Sequence, residues 1–107
     1  MTTTPEQITV AVGASNTTLY TAFVDTSTRG MLVSLDLTNT TTADITVSCW
    51  HENAAGSVLT YFAKDMVVPA KSVASWRGIV VLDASSEKIR AVASATGVDA
   101  AGAVMES

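Results

Sequence analysis

The string Cys49-Trp50-His51-Glu52 holds the only cysteine and the only histidine of the chain. On a strand, residues i and i+2 share a face, so Cys49 and His51 have the spacing of a thiol–imidazole pair or of two metal ligands. Nucleophilic catalysis also needs an orienting third group and an oxyanion hole. A zinc site needs three or four ligands. The other candidates are scattered carboxylates, so a buried cysteine beside a strand-end histidine is expected. Asp36 and Asp44 flank one turn region, and Asp83 and Glu87 another. Paired carboxylates can do acid–base work. These occupy turn and strand-edge positions, where Asp supports local backbone geometry. No Asp-rich loop has calcium-ligand spacing, and the six glycines form no phosphate cradle. Asn16-Thr17-Thr18 and Asn39-Thr40-Thr41 match the N-glycosylation sequon, which a Thr-rich chain produces by chance. No catalytic residue, cofactor or metal is expected, and the chain reads as a non-enzyme.

Recognition is the other chemistry available. Ile45, Val47 and Cys49 alternate on one strand face, which turns Trp50 outward with Thr46 and Ser48. An outward tryptophan on a polar strand is a candidate interface anchor. A bulge that reversed the parity would instead put Trp50 at the rim of the core. Tyr61 lies mid-strand, and Trp76 is followed by Arg77. Trp50, Tyr61, Trp76 and Arg77 are therefore the interface candidates. The aromatics among them could also serve as sugar-stacking platforms.

The elements that must hold these residues read as β throughout. The 107 residues include 16 Thr, 14 Val and 4 Ile, nearly a third of the chain, and stiff branched side chains fit a pleated surface. The 16 alanines never fall into a helical pattern. Strands are expected over 7–12, 17–24, 31–38, 45–51, 57–68, 72–81, 87–95 and 101–105, with turn formers between them. In the third strand Met31, Val33, Leu35 and Leu37 should face inward. Asn39 to Asp44 reads as a hairpin loop, the 57–68 strand as bent or split near Lys64 and Asp65, and the 72–81 strand as kinked at Gly78. About eight strands at this spacing predict a single antiparallel β-sandwich over 1–107, jelly-roll-like or Ig-like. Residues 1–6 (MTTTPE) read as an extended arm and 99–107 as a C-terminal strand or tail.

Net charge is −4 and the sequence pI about 4.6, which argues against nucleic acid as a partner. No apolar run reaches the roughly 18 residues of a membrane span. The start of the chain lacks the basic and apolar regions of a secretory signal. The polar exterior is mostly Thr, Ser, Asn and Ala, which lose little side-chain entropy when a partner covers them.

Taken in order, Leu19–Thr21 (LYT), Leu32–Trp50 (LVSLDLTNTTTADITVSCW), Val67–Trp76 (VVPAKSVASW) and Ile79–Gly97 (IVVLDASSEKIRAVASATG) resemble a family of small all-β virion proteins of tailed bacteriophages. The likeness runs from about residue 17 to 105. The chain departs from that pattern at Phe23–Gly30, where the family carries Pro-Ala-Gly-Lys, and at Lys71 and Ser85, where glycine is common. The resemblance implies a structural component of a phage particle, made in the host cytoplasm and located in the virion, on the capsid exterior or the tail. The favoured role is a capsid decoration (cement) protein that binds the outer shell as a homo-oligomer, with the major capsid protein or other virion subunits as partners. A tail or neck accessory protein is the alternative within the particle, and a carbohydrate-binding module the alternative outside it.

Overall fold

The computed structural model describes residues 4–24 and 27–107. Among these residues eight strands make up the fold: β1 (Thr4–Val12), β2 (Thr17–Thr21), β3 (Gly30–Asn39), β4 (Ile45–Glu52), β5 (Val58–Val68), β6 (Val73–Leu82), β7 (Lys88–Ala93) and β8 (Val98–Glu106). They form two four-stranded sheets, β1-β8-β3-β6 (sheet A) and β2-β7-β4-β5 (sheet B). Every pairing is antiparallel.

This order is a jelly roll, which decides between the two sandwich types the sequence left open. β1 pairs β8, β2 pairs β7, β3 pairs β6 and β4 pairs β5. The chain is therefore one long hairpin rolled over on itself, and the β3–β8 and β4–β7 ladders close the roll. The tip of the hairpin is the β4–β5 turn. There the Asn53 side-chain oxygen accepts from the Ala55 and Ser57 N–H groups at 3.0 and 2.9 Å. Gly56 takes a positive φ of 91°, where a Cβ would be strained.

The core lies between the sheets. Ile8, Leu32, Leu35, Leu37, Val98 and Val104 of sheet A meet Ile45, Val47, Cys49, Val68, Ile89 and Ala91 of sheet B. The expected alternation holds on β1, where Ile8 and Val12 are buried and Val10 packs against the core. It fails on β3. Leu32 is buried in place of Met31 and Val33, which are half-buried. The register slips between Leu32 and Ser34 against both neighbours: Val33 and Ser34 together oppose Ala103 of β8, and on the other side Gly78 and Ile79 of β6 together oppose Val33. A bulge of this kind reverses the parity of the strand. Gly102 accommodates it, since a Cβ there would stand 2.4 Å from the Ser34 carbonyl oxygen.

Asn39–Asp44 is not a hairpin loop: β3 and β4 belong to different sheets, so the segment arches between them. Buried Asn39 organises it, donating to the Ala43 and Val68 carbonyls at 2.7 and 3.0 Å and accepting from the Thr41 N–H at 2.9 Å. The strand expected over 17–24 stops at Thr21, and the closing strand begins earlier, at Val98. Of the residues read as an arm, Thr4–Glu6 continue β1 opposite Glu106, Met105 and Val104, and Met1–Thr3 lie outside the described residues. Pro5 fits because β1 is an edge strand, where a missing N–H costs no ladder bond.

Candidate assembly edge

A sandwich leaves two open sides, where the edge strands of its sheets lie one above the other. Here one side is β1 over β2 and the other β5 over β6. Eight large apolar side chains are exposed among the described residues. Seven of them (Val58, Leu59, Tyr61, Val67, Val73, Ile79 and Val81) belong to β5 or β6. Only Val24 lies elsewhere.

On β6 burial alternates. Ala74, Trp76, Val80 and Leu82 turn toward the core, and Val73, Ser75, Arg77, Ile79 and Val81 turn outward. Three of the five outward residues are apolar, and Ile79 is 67% exposed. β6 runs as one strand from Val73 to Leu82, and at the position of the expected kink its ladder with β3 slips, Gly78 and Ile79 together opposing Val33. The glycine also makes room for the Trp76 ring, whose Cζ2 would be 2.9 Å from a Cβ at that position.

β5 is less regular. Its ladder with β4 slips at three places, and Asp65 takes a positive φ of 50° at the first of them. Ser48 fills that bulge: its hydroxyl accepts from the Asp65 N–H at 2.9 Å. β5 is thus one bulged strand, as the bend expected near Lys64 and Asp65 anticipates. Phe62 reaches across to sheet A and packs against Trp76, with ring centroids 4.8 Å apart. This contact ties the two edge strands together.

The four interface candidates all lie on β4, β5 and β6, in two groups. Trp50 does point away from the core, opposite Tyr61 on β5 and Arg90 on β7. It is nevertheless only 4% exposed. Tyr61 covers it at a centroid distance of 5.6 Å, and its indole N–H donates to Glu52 Oε1 at 3.2 Å. Tyr61 is the exposed member, with the Lys64 ammonium 4.2 Å from its ring centre. Trp76 faces inward beside Phe62. Arg77 faces outward on β6 and donates to Asp36 Oδ1 of β3 at 2.9 Å. That hydrogen bond, assisted by one from Ser75, holds the Asp36 carboxyl below the usual carboxylate range. The sequence reading missed Val58, Leu59, Val67, Val73, Ile79 and Val81. For Val73, Ile79 and Val81 the signal was present in the 72–81 segment, where these three outward positions are apolar.

The groups with chemical potential are used structurally. Cys49 sits in the core, and burial pushes its thiol up to about 12. His51 lies on the same face as Cys49 but meets Glu87 Oε1 through Nε2 at 2.9 Å. The same Glu87 oxygen accepts from the Asp83 N–H at 3.3 Å, so the pair fastens the β6–β7 turn. Buried Glu106 accepts from the Tyr20 hydroxyl and from the Val24 N–H, tying the end of β8 to the segment after β2. No cluster of three His, Cys, Asp or Glu with metal-site geometry occurs among the described residues. A polar cleft of about 290 Å³ is lined by Thr28, Arg29, Asp83 and Ser107. It lies away from all four candidates.

The fold has known counterparts. Over 98% of its length the chain resembles a chain of the Bacillus endospore appendages, which form disulfide-linked pili (TM-score 0.55, 14% identity, 85% of that chain). It is also similar to a chain of infectious bursal disease virus, Gx strain, at TM-score 0.60 and 13% identity over 98% of this chain and 32% of that one. A third likeness is to a chain of the icosahedral IBDV particle, at TM-score 0.58 and 11% identity, over 97% of this chain and 30% of that one. The chain thus corresponds to about a third of the viral chains. At these identities the likeness is one of fold. No family model and no curated protein matches the sequence.

Proposed function

We propose that the chain is a non-enzymatic structural subunit of a virion, a capsid decoration protein held on the outer shell by contacts with the major capsid protein and with its own copies. The observation that carries this reading is the gathering of exposed apolar side chains on one side of the sandwich. A patch of that kind marks a surface made to be covered. The reactive groups point the same way, since the thiol, the imidazole and two carboxylates are spent on packing and turn closure. The jelly roll is the architecture of many shell-forming proteins, and two of the similar chains come from virus particles.

Linkage between subunits would be non-covalent. The appendage pili are disulfide-linked, but the one cysteine here is sealed inside the sandwich. Sugar stacking is disfavoured by the same geometry, because Trp50 is covered and Trp76 faces inward, leaving Tyr61 as the only exposed ring of the three.

A reconstruction of the particle that carries the chain tests the proposal. Hundreds of copies on the outer shell are expected. A few to tens of copies at the neck or tail would make it an accessory protein there, and absence from any particle would refute the structural reading.

A further inference from the structure

We propose that Met31 and Met105 form an oxidation-sensitive pair, a site where peroxide turns an apolar strip on the outer face of sheet A into a polar one while the fold stays intact.

The register places the pair. Met31 of β3 and Met105 of β8 are directly opposite each other. Opposed side chains on one face of an antiparallel ladder stand about 4.5–5.5 Å apart at Cβ. Their chain neighbours Leu32 and Val104 lie in the core, so both methionines turn away from it. Each is half-buried. In the same row Pro5 of β1 opposes Met105, and Val81 of β6 opposes Met31. Pro5 and Val81 are both exposed. An apolar strip therefore crosses all four strands of sheet A, with two thioethers at its centre.

Hydrogen peroxide transfers one oxygen to a thioether sulfur. The S–O bond forms, the O–O bond breaks, the sulfur is oxidised by two electrons and the peroxide leaves as water. The sulfoxide is polar, whereas the thioether is apolar and adaptable. Two sulfoxides side by side interrupt the strip at its middle. The other sulfurs of the described residues are shielded. Cys49 is sealed in the core, and Met66 opposes buried Val47 on the β4–β5 ladder and packs against the core. Neither Met31 nor Met105 belongs to the core cluster, so their oxidation changes the surface and leaves the packing in place. Methionine sulfoxide reductases return the thioether, which makes the change reversible. The consequence for assembly rests on the reading above: a subunit contact that uses this strip weakens when the pair is oxidised.

Dilute hydrogen peroxide on the full chain, followed by peptide mass spectrometry, tests the site. In the folded chain Met31 and Met105 should oxidise about fivefold or more faster than Met66, and in urea the three rates should converge. Hydrophobic-interaction chromatography reads the strip itself. The oxidised wild type should elute earlier, and methionine sulfoxide reductase with dithiothreitol should restore its retention. The Met31→Leu/Met105→Leu variant should keep the wild-type circular dichroism and lose most of the peroxide-induced shift. Three results would overturn the proposal: Met66 oxidised as fast as the pair in the folded chain, retention unchanged after the pair is oxidised, or a double variant that shifts as far as the wild type. Loss of the native circular dichroism on oxidation would overturn the claim that the fold stays intact. None of these results depends on whether the chain assembles, which the particle reconstruction decides separately.

Discussion

At the β1–β2 side the sheets end in a strand with proline as its second residue and in one of five residues, and no large apolar side chain of either strand is exposed. At the β5–β6 side they end in strands of eleven and ten residues that together expose seven. The same core supports both sides, so packing alone does not require the difference. Exposed valine, leucine and isoleucine on a long edge strand invite association. Their restriction to one side is what a module with one sticky flank needs.

Substitutions can break or sharpen this contrast. The largest expected effect separates the two members of the aromatic pair. Trp50→Ala removes a buried ring and should cost about 3–5 kcal/mol in urea unfolding. Tyr61→Ala should cost about 1 kcal/mol in the monomer and weaken assembly instead. Equal losses of stability would mean that Tyr61 belongs to the fold rather than to the contact.

Gly102→Ala comes next. Its methyl group must displace the Ser34 backbone at the β3 bulge, and a loss of about 1–3 kcal/mol is expected by thermal or chemical unfolding. The bulge sets the parity that buries Leu32, so this variant tests how sheet A is packed.

A third prediction concerns the thiol. With its pKa raised by burial to about 12, Cys49 should resist alkylation in the folded chain and react rapidly in urea. The linkage has a definite sign. Between the ordinary thiol pKa near 9 and about 12, the unfolded chain has lost the proton and the folded chain keeps it. The contribution of Cys49 is therefore complete below pH 9 and declines as pH rises through that window. A stability curve that is flat there in wild type and in Cys49→Ala alike would contradict it.

The smallest effect belongs to Arg77. Arg77→Met should return the Asp36 pKa toward its ordinary value, as read by carboxyl NMR titration. The pair is exposed, so its contribution to stability is at most a few tenths of a kcal/mol. Because the Asp36 pKa is lowered on folding, that contribution is present at neutral pH and is lost as pH falls below about 4.

The strand count and the inward faces of β1 and β4 were legible because period-2 alternation is local. Leu32 was not. Its burial follows from a bulge that exists only because Ala103 and Gly102 of β8 lie alongside, some seventy residues away. The arch at Asn39–Asp44 looked like a hairpin loop because turn chemistry is the same whether the chain returns to its own sheet or crosses to the other. Trp50 was half legible: its outward direction follows from parity, whereas its cover depends on Tyr61, which β5 brings opposite through three register slips. The apolar edge escaped notice because Val73, Ile79 and Val81 resemble core residues until the fold shows that no strand lies beyond β6.

Amide hydrogen exchange of the wild-type chain against Ile79→Lys, at a concentration where the wild type associates, tests the contrast between the two sides most directly. Slower exchange confined to β6 and the adjoining stretch of β5 in the wild type is expected, with β1 and β2 unchanged. Protection that appears on β1 or β2, or nowhere, would contradict an apolar flank built for assembly.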